Sequence, residues 1–299
     1  MMIMLLRFKS NQSIGKISTV LFLAFGLILS PSAILSLLRQ AKVHLREKYD
    51  QLKQAIRDGA VMYNDETGWL VHGQKAWMWI MTNEKETVYV AAESRGKDIF
   101  KEMYGNSHAT SMHDGNSSYE GVTGEDNTAY CWSHVLRFAY EETVTEKKPT
   151  TIACQIRDRL VALYQTVRSH PEWPTEQKET TLRIELESII TLKASDETSL
   201  NIQQRVATQK EGLIRALLIT PDGTNNLAER ELRSMAISRN ISFGSATYKG
   251  METTAIVGSI VQTISRNKDQ PFLPTLQSYV LVGIQKKYPQ YKHPPSFAT

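Results

Sequence analysis

The chain has 299 residues, 41% apolar and 22% charged, with a net charge of +4 and a pI near 8.9. That balance builds a substantial core and excludes wholesale disorder, while the mild basicity permits a nucleic-acid partner without demanding one. The only cysteines, Cys131 and Cys154, exclude a disulfide framework and fit a reducing, cytoplasmic compartment.

Residues 1–58 read as a helical N-terminal region closed by Asp58-Gly59, a helix stop. From Ile17 to Leu38 no residue is charged, and Arg7, Lys9 and Lys16 precede the run, the pattern of an export signal or a membrane span. Ser30-Pro31 argues otherwise, since serine caps a helix whose first residue is proline. Apolar residues then recur at Leu38, Ala41, Leu45, Tyr49, Leu52 and Ile56, at helical spacing. The expectation is two packed helices meeting at Ser30, with no membrane segment.

From Ala60 the pattern changes to strands. Ala60–Asn64, Lys75–Thr82 and Thr87–Ala92 are β-branched or aromatic runs separated by turn residues, which predicts an antiparallel meander. A short helix is expected over Gly96–Tyr104, a fourth strand over Ser107–His113 and a fifth over Thr128–Trp132. The predicted class is therefore α/β, with the first part of that domain at 59–134. Residues 135–220 read as an all-helical insertion, with stripes at Ile152–Val167, Leu182–Ile190 and Leu200–Leu218. The α/β unit resumes at 221–280 with a helix from Asn225 to about Ala236 and another over Gly244–Ser265. Residues 281–299 form a basic tail, loop-like from Lys286.

Three acids stand at element ends or starts: Asp65, Asp114 and Glu229. Two-metal phosphoryl transfer needs carboxylates from separate elements, holding two cations about 3.5–4 Å apart. Each acid also has a plain structural explanation. Asp65 could open a turn with Thr67 and Gly68, Asp114-Gly115 is a common turn dipeptide, and Asn226 to Glu229 fits a capping box.

Five blocks in order decide between these readings. They are Asp65-Glu66-Thr67-Gly68-Trp69 with Gly73; His113-Asp114-Gly115 with Tyr119; Cys131-Trp132-Ser133-His134 with Arg137; Asn225-Asn226-Leu227-Ala228-Glu229-Arg230 with Leu232 and Arg233; and Ser238-Arg239 through Phe243-Gly244-Ser245 to Gly250, with Ser259 and Thr263. In these blocks, over roughly residues 30–275, the chain resembles transposases of the insertion sequence 66 family, whose core is a ribonuclease-H-like DDE domain.

The resemblance implies a mixed sheet flanked by helices, with Asp65, Asp114 and Glu229 as catalytic metal ligands for Mg2+, which Mn2+ can replace. Glu66 should point to the opposite face from Asp65. It implies DNA cleavage by an activated water, then transfer of the freed 3′-hydroxyl into target DNA. The partners implied are DNA, further copies of the chain in a homo-oligomer, and small accessory proteins of the same element. A ribonuclease-H-like nuclease without strand transfer, or a truncated inactive relic, are the alternatives. Two departures from the family pattern are the lack of a recognisable N-terminal DNA-recognition module and Arg239-Asn240 where many members carry Arg-Lys.

Around the acids, His113 is expected beside the site. Cys131 and His134 have the spacing of a ligand pair, but no second pair completes a zinc site, so packing and hydrogen-bonding roles are expected. Arg230 and Arg233 could steady DNA phosphates or pair with acids such as Glu231. Arg239, Lys249, Arg266 and Lys268 form a candidate phosphate-facing group. Trp69, Trp77 and Trp79 are expected in the core.

Overall fold

The computed structural model describes residues 1–144 and 151–290; part of the expected basic tail, from 291 on, lies outside them. The chain folds as two compact units, residues 1–107 with 227–299, and residues 108–226.

The first unit opens with helices α1 (Met2–Phe8), α2 (Ile14–Phe25) and α3 (Pro31–Arg57). Gly26 ends α2 in the left-handed conformation, at φ +67°. The Ser30 hydroxyl accepts the Ala33 N–H at 3.1 Å, so Ser30-Pro31 is the expected helix start. Among the described residues no helix is long and apolar enough to cross a membrane. Ile34, Leu38, Leu45, Tyr49, Leu52 and Ile56 form the buried stripe of α3, close to the spacing read from sequence.

Three antiparallel strands follow: β1 (Val61–Val71), β2 (Gln74–Thr82) and β3 (Thr87–Ala92), with β2 in the middle. β1 is longer than expected. The block from Asp65 to Trp69 lies inside it, paired with Ile80 back to Ala76. Thr67 and Gly68 looked like turn residues, but continuous pairing to β2 overrides their local preference. The reversal comes instead at His72 and Gly73, both at positive φ, as a two-residue hairpin turn requires. Trp69 and Trp79 are core residues, as expected, whereas Trp77 is only partly buried. Helix α4 (Lys97–Tyr104) matches its prediction closely.

The second unit holds β4 (Thr110–His113) and β5 (Thr128–Tyr130), paired in parallel with Met112 opposite Ala129. Among the described residues four helices accompany them: α5 (Trp132–Thr143), α6 (Ile152–Ser169), α7 (Thr175–Ile190) and α8 (Glu197–Ile219). The last three coincide with the stripes read from sequence. The Trp132 indole donates to the Leu213 carbonyl at 2.8 Å, fastening the start of α5 to α8. Gly212 lets α8 approach β5, since a Cβ there would lie 2.3 Å from the Tyr130 ring.

The chain returns to the first unit through α9 (Asn226–Ser242), α10 (Tyr248–Arg266) and α11 (Phe272–Lys287). α9 runs beyond Ala236 because Ser238 continues its buried face. α10 starts at Tyr248 rather than Gly244: Phe243 and Gly244 have positive φ, and Thr247 caps the helix through the Gly250 N–H. α11 replaces the expected tail over 281–287. Its apolar residues buried little on their own, and its place is set by contact with α3, where a Cβ at Gly283 would meet the His44 carbonyl.

α10 closes the free edge of β3. Ser259 accepts the Tyr89 N–H at 2.8 Å, Thr263 bonds both backbone groups of Thr87 at 3.0 Å, and the Tyr248 hydroxyl reaches the Ala91 carbonyl. Three side chains thus take the place of a neighbouring strand, and the edge offers little for another chain to pair with.

Candidate functional site

Asp65 sits mid-strand on β1 and is partly buried; its Oδ1 accepts the Glu66 N–H at 2.9 Å. Alternate strand residues share a face, so Asp65 lies on the same side as Tyr63, Thr67 and Trp69, and Glu66 on the other. The partners of Glu66 agree with that. Its side chain is 1% exposed and ion-paired with Arg95 at 2.5 Å. Two adjacent carboxylates are therefore separated by the pleat, one neutralised by an arginine on its own face.

The Asp65 face of β1 is met by the last turn of α9 and the segment that leaves it. Arg239 Nη1 donates to the Thr67 hydroxyl at 3.2 Å and to the Gly68 carbonyl at 2.7 Å. The Trp69 indole donates to the Ser245 hydroxyl at 3.1 Å, and the Ser245 N–H bonds the Leu70 carbonyl at 2.8 Å. Gly244, at φ +98°, is needed for this close approach, because a Cβ there would lie 2.2 Å from the Leu70 oxygen. This accounts for Phe243-Gly244-Ser245, a block whose role sequence reasoning had left open.

Glu229 occupies the first turn of α9, where the helix dipole favours a carboxylate, and is partly buried. Two residues on, Glu231 is 4% exposed and faces inward. It accepts from Gln262 at 2.6 Å and from Arg230 at 3.2 Å, with the Arg266 guanidinium at 3.7 Å. Arg230, expected to steady phosphate or pair with Glu231, does pair with Glu231 while its side chain stays 65% exposed. Arg233 and Lys249 are exposed.

Arg266 does not join a phosphate-facing group. Its guanidinium caps the β2–β3 turn, donating to the Thr82 and Thr87 hydroxyls and the Asn83, Glu84 and Glu86 carbonyls at 2.7–3.2 Å. Five acceptors on a hairpin turn leave such an arginine little capacity for a ligand.

In the second unit Asp114 follows directly on β4, and its Oδ1 accepts the Asn116 N–H at 2.9 Å. Gly115 has φ +83°, a conformation that favours glycine, and a Cβ there would press on the end of the Gln209 side chain at 2.5 Å. His113 is buried, stacked on Tyr119 at 4.4 Å between ring centres, and accepts the Gly115 N–H on Nδ1 at 3.1 Å. Burial lowers its imidazole to about 4, opposed in part by the charge of Asp114, so at neutral pH it is uncharged with its proton on Nε2. Cys131 is buried at the start of α5, and its Sγ accepts the Asn225 N–H at 3.2 Å. His134 lies in the first turn of α5 and is partly buried.

Asp65 and Glu229 thus belong to the first unit, and Asp114, His113, Cys131 and His134 to the second. Residues 2–253 match the family described as Transposase IS66 family. The chain belongs to that family. No curated protein and no solved structure was found to match it. A transposase role follows from family membership and agrees with the mildly basic charge. Sequence reasoning missed Glu231 as a buried anchor. The signal was present, since Glu231, Gln262 and Arg266 are polar residues on otherwise packed helix faces, but their pairing joins segments 31 residues or more apart.

Proposed function

We propose that the chain is a DDE transposase with a ribonuclease-H-like core, in which Asp65, Asp114 and Glu229 hold paired divalent cations. The observation that carries the reading is the tie between β1 and the α9 segment: Arg239 and Ser245 meet the strand on the face that bears Asp65. Family membership supports it, as does the order of elements, an antiparallel meander followed by a helix and a parallel strand pair. The donor set fits magnesium, since all three side chains offer hard carboxylate oxygens and no thiolate. When bound, such ions supply Lewis-acid activation of water and stabilise charge on the transferring phosphoryl group.

The chain's own residues supply the setting. The carboxylates lie on a strand, at a strand end and in the first turn of a helix, so each is carried by a backbone ordered within its own element. Arg233 and Lys249, both exposed, contact phosphates and set register on the duplex, with Arg230 beside them. In the first step water attacks a phosphodiester at the element end. A P–O bond forms, the P–O3′ bond breaks, and a 3′-hydroxyl is released. In the second, that hydroxyl attacks a target phosphodiester, forming one P–O bond and breaking another. Joining two ends at once calls for two copies of the site, hence a homo-oligomer; accessory proteins of the same element belong to this reading too.

The test is an in vitro reaction of the purified chain with DNA spanning an end of its element. Nicked ends and joined molecules are expected with Mg2+ or Mn2+, and neither product from Asp65→Asn, Asp114→Asn or Glu229→Gln. Nicking without joining would identify a nuclease. Activity that survives any of the three substitutions would overturn the reading.

A further inference from the structure

We propose that Arg239 is a positioning residue: it holds the strand bearing Asp65 at a set distance from the helix bearing Glu229. The inference rests on the assignment of those two acids given above.

Three observations carry it. First, the contact is on the relevant face. Thr67 lies two residues after Asp65, about 6–7 Å along the strand on the same side, and its hydroxyl receives Arg239. Second, Arg239 and Glu229 share one unbroken helix, ten residues and about 15 Å of rise apart. A rigid helix carries a displacement at one end to the other. Third, the same Nη1 bonds both the Thr67 hydroxyl and the Gly68 backbone carbonyl, so it fixes main chain as well as side chain. Lysine, a point charge on a flexible stem, would hold this geometry less well. The neighbouring tie from Ser245 to Trp69 and Leu70 does not involve Arg239, so the fold has a second fastening when the arginine is removed.

A basic residue on this helix reads more simply as a phosphate contact, and salt dependence separates the two roles. Each phosphate contact adds close to one unit to the slope of log affinity against log salt. The experiment uses the full chain and a short duplex from an end of its element. It measures that slope, kcat at saturating DNA, and Mn2+ binding by the metal-free protein. Arg239→Ala should lower kcat by about 10–100-fold, weaken Mn2+ binding, and leave the slope unchanged; Arg239→Lys should recover part of kcat. A slope reduced by about one with kcat retained would overturn the proposal in favour of a phosphate contact. So would wild-type values throughout.

If Arg239→Ala fails to fold by circular dichroism, Thr67→Val decides. It keeps the side-chain shape and removes only the hydroxyl acceptor; a fall in kcat and Mn2+ affinity supports the proposal, and wild-type behaviour sinks it. Asp65→Asn runs in parallel. An inert Asp65→Asn beside an unaltered Arg239→Ala defeats this inference alone. An active Asp65→Asn defeats the acid assignment, and this inference with it.

Discussion

Along β3 itself the α10 groups that bond the backbone are uncharged, with Ser259, Thr263 and Tyr248 completing the hydrogen bonds of Tyr89, Thr87 and Ala91, while the Arg266 guanidinium is given to the preceding turn and the Thr87 hydroxyl. On β1 the segment from Arg239 to Ser245 brings a guanidinium as well as a hydroxyl, onto the face that carries Asp65. Both contacts fasten a helix or turn to a strand of one sheet. Neutral hydroxyls suffice where the only need is to satisfy backbone groups and close an edge. On β1 a cation bonds the strand's own backbone, one residue past Thr67 and three past the Asp65 carboxylate. If Asp65 is the ligand proposed above, the β3 contacts serve stability and the β1 contacts the placing of a carboxylate, and substitutions on each side should fail differently.

The largest expected effect is on the β1 side. Asp65→Asn should lower turnover on the order of 10³-fold or more, with little change in melting temperature, because the loss is of chemistry and not of packing. Loss of fold in place of loss of turnover, seen by circular dichroism, would erase the contrast. Glu66, one residue along and on the opposite face, supplies the control. Glu66→Ala leaves Arg95 without its 2.5 Å partner and should cost stability, by about 1–2 kcal/mol since Arg95 is partly exposed, while folded protein keeps its turnover.

A second effect falls at the start of α9. Glu231→Ala should cost about 2–3 kcal/mol in chemical denaturation, because it removes the acceptor of the Gln262 amide and the carboxylate that faces Arg266. Glu231→Gln, which keeps the shape and one acceptor, should cost less. Equal losses would mean that packing matters there and charge does not.

Much of this was legible in the sequence. The helical N-terminal region, the meander and helices α6 to α8 follow from apolar periodicity and punctuation by glycine and proline, which are local signals. The length of β1 was not, because Thr67 and Gly68 favour a turn locally and only pairing with β2 keeps them extended. α11 was missed for the same reason, its place being set by α3. Of the proposed site, the three acids were named from the order of the motif blocks alone. The inward commitments of Arg239, Glu231 and Arg266 were invisible, since each joins segments more than 30 residues apart and a basic residue in sequence carries no sign of which way it turns.

The smallest effect belongs to the β3 edge. Ser259→Ala removes the acceptor of the buried Tyr89 N–H, and no water can replace it on a face covered by α10. The cost should be about 1–2 kcal/mol in denaturant titration. Below the melting transition, kcat and DNA affinity should match wild type, because the hydroxyl serves only the backbone of an edge strand. A Ser259→Ala protein of normal stability and impaired turnover would mean that the β3 side also bears on chemistry, and the division of labour between the two strands would fall.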